Sequence, residues 1–233
     1  MLEVKEISKN FGEFKAIDKL SFNVKIGDVM GFLGPNGAGK TTSMRVITGY
    51  LNSDHGSVKI NNKDINIDPI YTKSTIGYLP EGVPLYLDFS PNLYLDYVCQ
   101  VRSIKNSKNA IKKVISDLQL EDVKDVPIET LSKGFKRRVG IAQALIHNPK
   151  LLILDEPTDG LDPLQKFEVR KLIKKLSKTK AIIISTHILD EVPEVCNKCL
   201  IINNGQKIFE GTPNQLKKKI GKTLDEKFRK LVS

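Results

Sequence analysis

The chain has no long apolar run. Its longest uninterrupted apolar stretch is residues 29–33, counting Gly31, whereas a helix that crosses a bilayer needs about 20 such residues. No segment is therefore expected to span a membrane. The opening Met-Leu-Glu-Val-Lys-Glu has no apolar run of signal-peptide length, and export by that route is not expected. Cysteine is scarce: three residues cannot build a disulfide framework. Cys196 and Cys199 are spaced C-x-x-C, but no second Cys/His pair stands where a four-ligand zinc site would need it. They are read as thiols at a helix-to-strand junction in a reducing compartment. Internal repeats and low-complexity segments are missing as well. So is an aromatic-rich basic stripe on which single-stranded nucleic acid could stack, and no nucleic-acid partner is expected.

Basic charge, by contrast, is plentiful. The 233 residues carry 37 Lys+Arg against 27 Asp+Glu, a net +10. The excess is uneven. Residues 213–233 hold seven basic residues against two acids, and residues 170–180 hold six basic residues and no acid. With 40% hydrophobic and 27% charged residues, the chain has ordinary globular composition. Its length suits one large domain or one domain with a sub-lobe, large enough to bury roughly 70–75% of its unfolded surface without covalent staples.

Short aliphatic runs alternate with longer helical patterns, which predicts an α/β fold with a mostly parallel sheet. Runs 29–33, 151–154 and 181–185 are continuously aliphatic, as strands covered on both faces must be. Segments 2–7, 20–24 and 57–60 alternate with polar residues and predict an N-terminal antiparallel β lobe. Residues 88–130 contain no comparable strand and read as an inserted helical subdomain, broken at Pro91 and Pro127. Residues 213–233 read as a basic helical tail beyond a single domain spanning 1–212.

Two motifs carry chemistry. Gly34-Pro35-Asn36-Gly37-Ala38-Gly39-Lys40-Thr41 fits G-x-x-x-x-G-K-[ST], follows a predicted strand and precedes a predicted helix at 42–48, which is the setting the motif requires. Glycines let backbone N–H groups turn toward phosphate oxygens, and the helix start adds its dipole. Residues 34–42, Thr42 included, are thus expected to hold a nucleotide, with Lys40 reaching the terminal phosphates and Thr41 ligating Mg²⁺. Second, the aliphatic run Leu-Leu-Ile-Leu ends in Asp155 and Glu156. A buried strand delivers such side chains to the carboxyl edge of the sheet, where α/β ligands bind. Asp155 is expected to serve Mg²⁺, and Glu156 to orient and deprotonate water, a role worth about 10²–10⁴-fold.

The chain resembles the nucleotide-binding subunits of ABC transporters over nearly its whole length. Leu131-Ser132-Lys133-Gly134-Phe135 is similar to that family's Leu-Ser-Gly-Gly-Gln signature, and Gly160-Leu161-Asp162-Pro163 to its D-loop. His187 matches the switch histidine, and Phe11 the aromatic that stacks on adenine. The resemblance implies a phosphate-loop NTPase core and ATP with Mg²⁺. It implies a head-to-tail dimer in which the phosphate loop of one protomer and Ser132, Gly134 and Asp162 of the other enclose each ATP. A homodimer, or a pairing with another ATPase subunit, would meet this. Polytopic membrane permease subunits are the implied partners, with the chain on the cytoplasmic face of the cell membrane.

Three departures stand out. Glu81 occupies the position usually held by Gln after run 76–79; a carboxylate still serves Mg²⁺ or its water but donates no amide hydrogen bond. Glu here resembles an exporter-associated branch with separately encoded membrane subunits. Lys133 and Phe135 replace Gly and Gln of the signature, while Ser132 and Gly134 are kept. Asp159 adds a carboxylate beside the D-loop. Lys133, Lys136, Arg137 and Arg138 are read either as charges reinforcing the positive start of a helix over 133–146 or as plain surface charge. The apolar residues of 82–95 are expected to divide between core packing and a groove for a helix of the membrane partner. Two other functions fit these residues less well. ABC-type ATPases of translation or DNA repair carry tandem cassettes or a long coiled coil, which the 91 positions from Lys40 to Leu131 leave no room for. A non-hydrolytic switch is disfavoured by Glu156 and His187. The basic tail is expected either to close the fold as a solvated helix or to lie against anionic lipid.

Overall fold

A computed structural model describes residues 1–220, apart from the side chains of Asp190, Lys219 and Ile220. Its elements run β1 (Leu2–Phe11), β2 (Phe14–Val24), β3 (Val29–Leu33), α1 (Lys40–Ile47), β4 (His55–Ile60), β5 (Lys63–Asp64), α2 (Pro69–Ser74), β6 (Ile76–Leu79), α3 (Pro91–Val101), α4 (Ser107–Asp117), α5 (Lys133–Leu145), β7 (Leu151–Asp155), α6 (Pro163–Ser177), β8 (Ala181–Thr186), α7 (Val192–Val195), β9 (Lys198–Asn203), β10 (Gln206–Gly211) and α8 (Pro213–Ile220). Of the expected basic tail, residues 221–233 lie outside the described residues. Within α8, Leu216 is buried, while Lys217 and Lys218 are exposed.

Two sheets form. The N-terminal one is antiparallel, in the order β2-β1-β4-β5. The larger one runs β10-β9-β3-β8-β7-β6. All its neighbours are parallel except the closing β9–β10 pair.

The continuous aliphatic runs follow from this architecture. Successive side chains on a strand point to opposite faces. Leu152, Leu154, Ile182 and Ile184 pack with α3, α4, α5 and α6 on one face. Leu151, Ile153, Ala181 and Ile183 pack with α1 and the antiparallel sheet on the other. A polar residue in these runs would face a core whichever way it pointed.

Between β6 and α5 the described residues hold helices only: α3, α4 and single 3₁₀ turns at Glu121–Val123 and Ile128–Thr130. This is the expected helical insertion, with one correction. Pro91 does not break a helix but opens α3, where Ser90 caps Leu93 N–H at 3.3 Å. A first-turn proline loses only an N–H that had no intrahelical partner. Cys196 ends α7, Cys199 lies in β9, and both are buried free thiols.

Candidate active site

β3 delivers the chain to Gly34 at the carboxyl edge of the large sheet. Two loop glycines have specific reasons. A Cβ on Gly34 would stand 2.5 Å from the Ile202 carbonyl, and one on Gly39 would stand 2.4 Å from the Ala16 carbonyl. Gly39 also takes φ +100°, open only to glycine at ordinary cost. α1 starts at the next residue. Lys40 is almost wholly buried, and its Nζ folds back to donate to the carbonyls of Gly34 (2.8 Å) and Pro35 (3.0 Å). Burial lowers its pKa, against the pull of Glu156, Asp155 and Glu81.

Two strands to the side, β7 ends beside β8 with Asp155 in register with Ser185. The Ser185 hydroxyl donates to Asp155 Oδ1. Asp155 Oδ2 is buried without a hydrogen-bond partner. Glu156 takes φ +50°, an uncommon conformation for a side-chain-bearing residue. Its N–H is held by Ser185, at 3.2 Å from the carbonyl and 3.1 Å from the hydroxyl. Its Oε1 lies 3.0 Å from His187 Nδ1. The Glu156 carboxyl is pushed up chiefly by burial, while the His187 contact and the Lys40 charge hold it down.

These groups share one cleft of about 450 Å³, lined by Asn36, Gly37, Gly39, Lys40, Thr41, Thr42, Glu81, Asp155, Glu156 and His187. Phe14, Ala16 and Asp159 complete the wall. Gly34, Pro35 and Ala38 form the loop behind it. The donor set toward a cation is all oxygen: the Thr41 hydroxyl and the Asp155 and Glu81 carboxylates. Oxygen ligands suit Mg²⁺, and a buried carboxylate oxygen, Asp155 Oδ2, that lacks any donor fits a cation-holding role.

Besides the loop residues Gly34, Pro35 and Ala38, four expected residues do not line the cleft. Phe11 ends β1, half exposed, and pairs across the hairpin with Phe14, which does line it. Ser132 caps α5 by accepting from Phe135 N–H at 3.3 Å. Asp162 caps α6 by accepting from Gln165 N–H at 2.9 Å. Gly134 lies under Gln165, whose carboxamide occupies the space a Cβ would need. Ser132, Gly134 and Asp162 thus belong to two adjacent helix starts, set apart from the cleft.

Arg137 overturns an expectation. It is no surface charge but 7% exposed, with its guanidinium bonded to main-chain carbonyls. Ser185 and Phe14 were not expected at the site. Ser185 was discoverable only from the pairing of β7 with β8.

A glycine loop cradling a lysine, opposite an acidic strand end, defines the class as a phosphate-loop nucleoside triphosphatase. Residues 17–159 match the ABC transporter family, and the chain belongs to that family as an ATP-binding, ATP-hydrolysing cassette. It is 36% identical over 227 residues to the bacitracin transport ATP-binding protein BcrA of Bacillus licheniformis, covering 97% of this chain and 74% of that one. It is 34% identical over 218 residues to the Nod factor export ATP-binding protein I of Sinorhizobium fredii, covering 92% and 64%. Among solved structures, the ATP-binding subunit of an ABC transporter superposes with a TM-score of 0.90 at 27% identity over the full length of both chains. ABC cassettes of transporters work as dimers with membrane subunits. Among the described residues no helix is long and apolar enough to cross a membrane.

Proposed function

We propose that this chain is the ATPase subunit of a membrane exporter and that Glu156 is the base that activates the attacking water. The observation that carries the reading is the Glu156–His187 contact at 3.0 Å, in the same cleft as Lys40. His187 orients the carboxylate and holds its negative charge. The raised Glu156 pKa makes it a better proton acceptor than an exposed glutamate. Lys40 and the N–H groups at the start of α1 receive the phosphates. Thr41, Asp155 and Glu81 would hold Mg²⁺, which supplies charge neutralisation of the phosphates when bound. Adenine stacking is assigned to the Phe11–Phe14 corner, with Phe11 at the rim.

The separation of Ser132, Gly134 and Asp162 from the cleft supports a head-to-tail pairing in which a second copy or a related ATPase subunit completes each site. The start of α5 suits an incoming phosphate by its dipole. Export is favoured by two relatives whose names carry bacitracin transport and Nod factor export, together with Glu81. Within 82–95, Tyr94 and Leu95 are buried, whereas Tyr86, Leu87 and Leu93 are exposed. Tyr86 packs 5.3 Å from both Phe89 and Tyr97, ring centre to ring centre. This half-exposed aromatic surface is the proposed seat for a helix of polytopic permease subunits at the cytoplasmic face of the membrane, with no nucleic acid involved.

Two experiments test the reading. Glu156→Gln should abolish steady-state ATP hydrolysis while Mg-ATP still binds and pairs the protomers; unchanged hydrolysis refutes the base assignment. Purification of the tagged chain from gently solubilised membranes should bring down a polytopic membrane protein in stoichiometric amount. Soluble or ribosomal partners alone would refute the exporter assignment.

A further inference from the structure

α5 is capped by Ser132 and carries Arg137 in its second turn, facing inward. The neighbouring basic residues go elsewhere. Lys136 donates to the Glu129 carbonyl, and Arg138 to Leu118 and Gln119. Of these basic residues Arg137 alone is buried, and among the described residues it forms no hydrogen bond to a carboxylate. Its Nη1 donates to the carbonyls of Glu81 (2.8 Å) and Pro80 (3.4 Å), its Nε to the carbonyl of Pro157 (3.4 Å), and its Nη2 to the carbonyls of Asp155 and Glu156. One guanidinium therefore joins the loop after β6, the turn that aims Glu156, and the helix that starts at the signature. A planar fork of five N–H donors can span two loops in this way; an ammonium on a flexible stem cannot.

We propose that Arg137 is a positioning residue for ATP hydrolysis, locking the 80–81 loop and the 155–157 turn to α5 so that the three move as one body. The reasoning is geometric. A helix is a stiff rod rising about 1.5 Å per residue, so a displacement of Ser132 by phosphate is carried to Arg137, five residues on. Arg137 grips the carbonyls on both sides of the φ +50° residue Glu156. The loop it grips on its other side carries Glu81, and just beyond it lies the exposed aromatic surface around Tyr86. Anything that moves that surface is transmitted to the catalytic carboxylate through these carbonyls. The inference rests on the assignment of Glu156 as the base.

The test compares the full-length chain with Arg137→Lys, Arg137→Met and Glu156→Gln. Both Arg137 variants should bind Mg-ATP within about threefold of the unaltered chain yet lose about tenfold or more in kcat with little change in KM, a split that general destabilisation does not produce. Lysine should not rescue, because the charge is kept while the fork is lost. Hydrogen exchange gives a second readout. Binding of a non-hydrolysable Mg-ATP analogue should slow the amides of residues 79–83 and 133–138 together in the unaltered chain, and should fail to slow residues 79–83 in Arg137→Lys. If Arg137→Met does not fold, Arg137→Lys carries the test. Failure of both to fold makes Arg137 a structural residue and overturns the proposal. It is overturned equally by full kcat in Arg137→Lys or by an unchanged exchange response. If Glu156→Gln is inactive while Arg137→Lys is unaffected, this inference alone fails; if Glu156→Gln remains active, the base assignment fails.

Discussion

Ser185 offers a sharp test of how the acidic strand end is built. Its hydroxyl donates to Asp155 Oδ1 and accepts from Glu156 N–H at 3.1 Å. Ser185→Ala removes both contacts while keeping the strand, since alanine fits a fully buried β8 position. The Glu156 N–H still has the Ser185 carbonyl at 3.2 Å, so the main loss falls on Asp155. That carboxylate is 1% exposed and its Oδ2 already lacks a partner, so the variant leaves both oxygens without a donor. A hydrogen bond to a charged group contributes about 1.5–3 kcal/mol, equivalent to about 10–150-fold in an equilibrium constant. Groups that orient a metal ligand cost a similar 10–100-fold when removed. The half-saturating Mg²⁺ concentration for ATP hydrolysis should therefore rise by roughly 10–100-fold, measured by titrating Mg²⁺ at fixed ATP. Nucleotide affinity in the presence of EDTA should change little, because the phosphate loop is untouched. An unaltered Mg²⁺ requirement would refute the view that Ser185 holds Asp155 in its working orientation.

Further outcomes follow from the same geometry. Because burial raises the Glu156 carboxyl above its ordinary 4.5, the acidic limb of kcat should lie above that value, as the base is lost when pH falls through its raised pKa; a limb at or below 4.5 would contradict this. The same shift acts on stability in the opposite sense, lowering it as pH rises. A carboxyl whose folded pKa is raised disfavours the fold once ionised, so Glu156→Gln should raise the melting temperature at pH 7 although it removes turnover, as calorimetry can check. Gly39→Ala meets both φ +100° and a carbonyl 2.4 Å from the new Cβ, and a strained backbone of this kind costs about 1–3 kcal/mol; ATP binding measured by equilibrium fluorescence should fall sharply. Ile153→Ala empties a fully buried position between the two sheets and should destabilise by about 2–5 kcal/mol in a denaturant titration.

Much of this molecule is legible in its sequence because the strongest signals are local. The three aliphatic runs became β3, β7 and β8 within a residue at their ends, since only a strand covered on both faces tolerates such composition. The phosphate loop and the two strand-end acids are contiguous motifs, and the structure brings them into one cleft. The rest depends on partners distant in the chain. Lys136, Arg137 and Arg138 look alike as a run of basic residues; only the packing of α5 against the loops at 80–81 and 155–157 decides which one is buried. Ser185 gains meaning from its register with Asp155, and Phe14 from a two-residue hairpin turn that brings it beside Phe11. Pro91 illustrates the ambiguity of proline, which ends one helix and starts another with the same fixed φ.

Lys40 has a consequence for how this protein takes up its fuel. Its amine is not waiting in water; it is bonded to the carbonyls of Gly34 and Pro35, at the neck of the loop it serves. An ammonium has three donors, and with two committed to these carbonyls one N–H is left for an incoming phosphate. The same two bonds pin the amine to the loop, so the charge stands in place before the phosphate arrives and little side-chain freedom is left to lose on capture.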